Sequence, residues 1–271
     1  MSNIKVRALV DARDRAIQKT RVAFGLRLKA FERGADEAPA DVVALFTEWH
    51  EKLKDIEKEI TDQIREIIEL EMPIVPLMTP VKGIGDILAA KVACHVNIGT
   101  PPTISALWRY AGYAVFDGKR ERPTKGEKLH YNARLKTACS LVGMSFLKSG
   151  SPYAEVYYKA KEKYEKRSIE TNARADEAIA AVKANDDLSK TGKEKQIALL
   201  KSEKWNIGRI HYASMRIMIK LWLSHLWLTW RRFEGLPTSD PYCVVHMEPS
   251  HHFDGPEKYG WPYVAGVEKA A

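Results

Sequence analysis

The sequence predicts a mainly α-helical protein. Three observations support this prediction. Apolar residues recur at helical spacing over residues 41–70, prolines and glycines interrupt the helical segments, and the sequence has no strand-rich region and no alternating βαβ pattern. With 271 residues, of which 45% are apolar and 29% charged, the chain has the composition of a globular protein rather than a disordered one.

The first segment, residues 1–72, is predicted to form a helical hairpin or coiled coil. Strong helix formers fill residues 4–33, and a loop at 34–39 separates them from a long helix over 41–70. The charged residues of this second helix, Glu57 among them, are predicted to form a solvated face. The sequence leaves open whether the hairpin pairs with itself or makes a homo-oligomer through residues 4–70. The apolar stripe of the second helix comprises Leu45, Trp49, Leu53, Ile56, Ile60, Ile64, Ile67 and Leu70.

Three further segments complete the predicted organisation. Residues 73–152 form a compact unit that carries the most specific motif, and residues 153–206 form a charged helical insertion with a break near 185–187. Residues 207–271 form an apolar helix and an irregular tail. The apolar run at 217–230 is too short for a membrane span, which needs about 20 residues, so a buried helix is predicted and no membrane partner is expected.

The most specific local pattern is Gly83-Ile84-Gly85, followed by Ala89 and Val92. This is the spacing of a helix-hairpin-helix: the glycines permit a tight turn, and Ile84 enters the core between them. Backbone amides at the hairpin and at the start of the next helix carry partial positive charge, so a phosphate can bind there. Lys82 and Lys91 are predicted to add charge. The alternative is a simple turn between packed helices.

A basic segment supports the same interpretation. Residues 118–136 contain seven Lys or Arg residues and two Glu residues, and aromatic residues lie in and just before this segment at Tyr110, Tyr113, Phe116 and Tyr131. Such a composition is typical of a surface that follows a phosphate backbone and stacks bases, although a solvated loop is the alternative. The predicted nucleic-acid contacts of this segment are Arg120, Arg122, Lys125, Lys128, Arg134 and Lys136.

Composition narrows the remaining possibilities. The formal net charge of +8 favours a polyanionic partner. Three widely spaced cysteines and a charged N-terminal stretch predict a reducing, cytoplasmic location. We expect neither a cofactor nor a metal. Cys243 and His246, with His251 and His252 nearby, have a spacing compatible with zinc, but a buried cysteine beside solvated histidines is the favoured interpretation.

Four blocks of sequence resemble a known family. They are residues 81–90 (VKGIGDILAA), 105–114 (SALWRYAGYA), 132–138 (NARLKTA) and 211–216 (HYASMR). In this order, and after a long coiled-coil helix, they are similar to the C-terminal part of insertion-sequence transposases that join a RuvC-like DEDD domain to a helix-hairpin-helix domain and are guided by a bridge RNA. The resemblance covers residues 40–232 and implies a mobile-element protein that binds DNA.

The chain departs from this family in two respects. Only about 40 helical residues precede the coiled-coil helix, where the family has a RuvC-like domain with acidic metal ligands. The family also places a nucleophilic serine in the loop after the Ala-Gly block, where this chain has Asp117 and then basic residues, with Thr124 as a loop hydroxyl. The resemblance therefore implies a relative without its own catalytic site.

We therefore expect a cytoplasmic, nucleoid-associated protein that binds DNA, with structured RNA as an alternative ligand, mainly through phosphates and without reading sequence. Two alternatives remain open. The first is a divergent transposase or recombinase subunit that acts in DNA strand transfer and depends on Asp117 or Thr124. The second is a helical oligomeric interaction protein with no nucleic-acid role, in which the glycines serve packing only.

Overall fold

The computed structural model describes residues 2–116, 119–120, 125–126, 128–185, 187–239 and 254–265. Helices dominate these residues, which confirms the mainly α prediction. In chain order the helices are α1 (Ser2–Asp11), a π-helical segment (Ala12–Gln18), α2 (Lys19–Glu32), α3 (Ala40–Glu71), α4 (Val75–Met78), α5 (Asp86–Ala93), α6 (Ile104–Tyr110), α7 (Ala133–Ser149), α8 (Pro152–Ala184), α9 (Lys190–Glu203), α10 (Ile207–Phe233) and a short 3-10 helix (Pro256–Tyr259).

The predicted N-terminal helical hairpin is present. α1, the π-helical segment and α2 follow one another without a break and run antiparallel to α3. α3 ends at Glu71 because Pro73 disfavours the helical conformation at the residue before it, and Met72 is accordingly non-helical. Far from the turn, Val6 and Ile64 enter the core, whereas no side chain of α2 is fully buried. The end of the hairpin near its turn is therefore the thinner part of the fold.

The prediction that Glu57 lies on a solvated face is wrong. Its residue is only 8% exposed, and its carboxylate oxygens lie 2.8 Å from Arg13 Nη2 and 2.6 Å from Arg21 Nε. Two arginines from the antiparallel helix supply the partners that a buried carboxylate requires. Leu70, assigned to the apolar stripe, is 75% exposed.

The core lies around α10, as its apolar sequence predicts. Trp222 and Trp227 are completely buried, and the Trp227 indole N–H donates to the carbonyl oxygen of Pro101 at 2.9 Å. One hydrophobic cluster joins α10 to α1, the C-terminal part of α3 and helices α4 to α8. Within the described ranges, no helix has the length and apolarity that crossing a membrane requires. α8 and α9, which lie on either side of the predicted break near 185–187, pack against each other.

The structure adds a short ribbon that was not predicted, and it describes part of the irregular tail. Residues Val115–Phe116 and Lys119–Arg120 form a two-stranded antiparallel ribbon in which Val115 pairs with Arg120, where the sequence suggested only a loop. After α10, the described part of the tail packs on the core through Trp261, whose indole N–H donates to Tyr153 Oη at 2.8 Å. The same hydroxyl lies 2.5 Å from His225 Nδ1.

Candidate nucleic-acid interface

The predicted helix-hairpin-helix motif falls on the segment from α4 to α5. α4 is a single turn, residues 79–85 connect the two helices, and α5 begins at Asp86. Val81 and Ile84 are both buried, and the Ile84 N–H donates to the Val81 carbonyl oxygen at 3.0 Å. Ile84 therefore fills the core inside the turn, as its position between two glycines predicts.

Gly83 is the glycine that the fold itself requires. Its φ of +100° lies in the region that side chains disfavour, and a Cβ there would lie only 2.6 Å from Ser149 Oγ. Its carbonyl oxygen accepts a hydrogen bond from Ser145 Oγ at 2.6 Å. Gly83 therefore packs the turn against the C-terminal half of α7, and this packing accounts for the glycine without any ligand.

Gly85 differs from Gly83 in both respects. Its backbone is extended, with φ −93° and ψ 168°, and a Cβ there would have no atom within 4 Å. The residue is exposed, as is Lys82 three positions earlier. The fold therefore places no steric demand for glycine at this position, and the space beside its backbone is open to a molecule from outside.

A carboxylate occupies part of the α5 N-terminus. Asp86 Oδ1 accepts from the Ile87 N–H at 2.8 Å, and its Oδ2 lies 2.7 Å from Arg65 Nε. The pKa of the Asp86 carboxyl is lowered: partial burial opposes this shift, but the hydrogen bonds from Arg65 and from the Ile87 N–H outweigh it. The ionised carboxylate accepts a hydrogen bond from one amide of the first turn of α5, and the positive charge of Arg65 offsets its negative charge.

Two of the predicted cations form ion pairs within the protein, one largely buried and one, Arg134, whose side chain is 45% exposed. Lys91 Nζ lies 2.6 Å from Asp14 Oδ2, and the Lys91 side chain is only 15% exposed. Arg134 Nη1 lies 2.5 Å from Asp11 Oδ2. Both carboxylates belong to the N-terminal rod, the continuous helix formed by α1, the π-helical segment and α2. The two ion pairs therefore link this rod to α5 and α7. The structure does not present Lys91 as a surface cation.

The basic segment after α6 is only partly described. Lys125 and Lys128 are exposed, and Lys136 Nζ lies 4.1 Å from the centre of the Tyr131 ring. The backbone of Arg120 pairs in the ribbon, and its side chain lies outside the described part of the chain, as does the whole of Arg122.

The two predicted basic sites lie at opposite ends of α7. Gly83 contacts Ser145 and Ser149 near the C-terminal end, whereas Arg134 and Lys136 lie in the first turns. The rise of 1.5 Å per residue separates Arg134 from Ser145 by about 16 Å along the helix. The hairpin and the basic segment are thus two separate contact regions rather than one cluster.

Sequence reasoning missed the residues that organise the second region. Asn132 caps α7 through hydrogen bonds of 3.1 Å from the Arg134 and Leu135 N–H groups, and an asparagine directly before a helical run is a recognisable signal for this role. Arg7 Nη2 donates to the Cys94 carbonyl oxygen at 2.8 Å, and no local pattern indicates that contact. Burial, together with the charges of Arg7 and Arg134, lowers the pKa of the neighbouring His95 to about 4.

No metal centre is defined by the described residues, among which no three His, Cys, Asp or Glu side chains are grouped to hold an ion. Cys243, His246, His251 and His252 lie outside those residues, as do Asp117 and Thr124. Comparison with known proteins identifies no relative: no family model, no curated protein and no solved structure matches the chain.

Proposed function

We propose that the protein binds DNA through phosphate contacts at its helix-hairpin-helix, without reading base sequence. The observation that carries this proposal is the open space beside Gly85. A glycine that is exposed, extended and unopposed by any protein atom has no packing reason to lack a side chain. A phosphate backbone that approaches the peptide closely supplies such a reason, because a Cβ would obstruct it.

The charges around the hairpin define the proposed contact. Lys82 is exposed three residues before the open glycine, and the amides at the start of α5 carry the partial positive charge of a helix N-terminus. Lys125 and Lys128 extend the positive surface at the second contact region. We leave Lys91 and Arg134 out of the interface, since Asp14 and Asp11 already neutralise them.

The resemblance to insertion-sequence transposases supports DNA as the partner and recombination of a mobile element as the setting. We propose a DNA-binding member of such a system, which would act beside nucleoid DNA in the cytoplasm. The contacts proposed are with phosphates and the hairpin backbone, so duplex, branched and gapped DNA should all bind, and structured RNA is the competing ligand.

The test is a fluorescence-anisotropy titration of labelled duplex DNA at 50 mM and 200 mM salt. Lys82→Glu should weaken binding about tenfold at the lower salt concentration, because it reverses one phosphate contact. Lys163→Glu makes the same charge change at an exposed position on α8 and is the matched control. Equal affinities for the two variants, or no binding by the wild type, would overturn the proposal.

A second candidate function is that of a helical interaction protein. The observation that favours it is the thin end of the N-terminal hairpin, where no α2 side chain is fully buried and Trp49 is 42% exposed. This candidate predicts a concentration-dependent oligomer through residues 4–70 with no salt-dependent DNA affinity. Analytical ultracentrifugation beside the titration separates the two candidates, because a DNA-binding monomer excludes the second and a non-binding oligomer excludes the first.

A further inference from the structure

A shallow open groove lies where the chain returns from the basic segment to α7. Its walls include Arg109 and Tyr110 from the end of α6 and Lys128, His130, Tyr131 and Asn132 from the returning chain. Of the described residues that line the groove, none is acidic. The groove therefore combines cationic and aromatic side chains at one place on the surface.

The Tyr131 ring packs closely against the backbone on one side of this groove. Gly112, with φ +75°, lies directly against it: a Cβ there would be 2.7 Å from Tyr131 Cδ2 and 2.9 Å from its Cγ. Lys136 approaches the same ring, with Nζ 4.1 Å from its centre. Close contact with a backbone that carries no side chain restricts the ring to one position, so it can act as a rigid platform.

A chain of hydrogen bonds fixes the groove around this platform. The Asn132 N–H donates to the Tyr110 carbonyl oxygen at 2.8 Å, and Asn132 Nδ2 donates to Tyr110 Oη at 3.0 Å. Tyr110 Oη in turn donates to the His95 carbonyl oxygen at 3.0 Å. Although Tyr110 is 41% exposed, its hydroxyl thus accepts one hydrogen bond and donates another within the protein. The groove is preorganised before any ligand enters it.

These features match the chemistry of a single unpaired nucleotide. A planar base stacks on an aromatic side chain whatever its sequence, and a nearby cation binds the attached phosphate. Lys128 is an exposed cation on the groove wall, three residues before Tyr131 in the chain. A base-paired nucleotide cannot use the platform, because its neighbours in the duplex already cover both faces of its base.

We propose that this groove binds an unpaired nucleotide, with its base on Tyr131 and its phosphate at Lys128. The inference rests on the proposed function and deepens it: the hairpin binds duplex phosphates, and the groove selects nucleic acid that contains a single-stranded stretch. Gapped, branched or flapped substrates would then use both contact regions, which lie toward opposite ends of α7.

The experiment uses a single-stranded oligonucleotide of about ten nucleotides that carries 2-aminopurine, as DNA and as RNA, beside an unmodified duplex. Tyr131→Leu should weaken single-strand binding about tenfold and abolish the quenching of 2-aminopurine that stacking produces. Tyr131→Phe keeps the ring and should retain both signals. Tyr263→Leu, at a site that is 77% exposed, is the control for loss of a surface tyrosine.

Lys128→Gln provides a second variant that does not disturb the platform, because the side chain is exposed. It should weaken single-strand binding several-fold while leaving the quenching of the bound complex intact. Circular dichroism melting confirms that each variant is folded before its affinity is interpreted. The tighter of the DNA and RNA arms identifies the sugar that the groove accepts.

The outcomes separate this inference from the proposed function. Unchanged single-strand affinity in folded Tyr131→Leu, or duplex binding by a wild type that ignores the single strand, overturns the groove assignment and leaves the hairpin proposal standing. Failure of the wild type to bind duplex and single strand alike overturns the proposed function and the groove assignment together.

Discussion

The inward and outward sides of the α5 region use the same residue types for different purposes. On the inward side, Gly83 packs against α7 and Lys91 pairs with Asp14 of the N-terminal rod. On the outward side, Gly85 faces open space and Lys82 is exposed. The comparison teaches that a glycine or a lysine in a recognisable motif serves the fold or a ligand according to what it faces.

The largest expected effect distinguishes the two glycines. Gly83→Ala combines an unfavourable φ with a 2.6 Å approach to Ser149 Oγ, so we expect a loss of about 2–4 kcal/mol in the free energy of unfolding. Gly85→Ser retains a good helix N-cap in open space and should change it by less than about 0.5 kcal/mol. Urea unfolding followed by circular dichroism measures both, and similar losses would remove the distinction.

His95, which follows the C-terminal end of α5, should make the free energy of unfolding depend on pH. Burial and nearby arginines lower the pKa of His95 to about 4, whereas the unfolded chain binds that proton near pH 6.5. Stability is therefore complete above about pH 6.5 and falls as the pH decreases toward 4, by about 1.4 kcal/mol per pH unit for this group.

Replacing His95 isolates this contribution from that of His225, whose pKa burial also lowers to about 4. His95→Leu should lose about 2 kcal/mol less than the wild type between pH 7 and pH 5, as measured by urea unfolding at each pH. Identical pH dependence in the two proteins would show that His95 is accessible to protons in the folded state.

The ion pair on the inward side should contribute more than a surface pair. Asp14→Ala leaves Lys91, whose side chain is 15% exposed, without its carboxylate, and should cost about 1–2 kcal/mol of unfolding free energy. Asp176→Ala removes a partner of Lys204 at a site where the aspartate side chain is 63% exposed, and should cost less than about 0.5 kcal/mol. Comparable costs would mean that the inward pair is effectively solvated.

The sequence was sufficient to predict the helices because their signals are local. The apolar spacing along α3 and the prolines after Glu71 each act within a few residues. Ile84 was identified as a core residue for the same reason, since its place between two glycines defines the hairpin.

The partners of the cations could not be predicted in the same way. Asp11 and Arg134 are separated by 123 positions, and their contact depends on how the N-terminal rod lies beside α7. The groove likewise arises from the approach of Tyr131 to Gly112, which belong to different segments. Residue type and local spacing therefore indicated a basic protein, while packing decided which of its cations are paired with carboxylates.

Hydrogen exchange, followed by mass spectrometry with and without duplex DNA, tests the central claim most directly. We predict slower exchange in peptides that contain Gly85 and the first turn of α5, and unchanged exchange in the π-helical segment, whose Asp14 faces Lys91. Protection confined to the N-terminal hairpin, or no protection at DNA concentrations that saturate binding, would contradict the assignment of the outward side as the nucleic-acid interface.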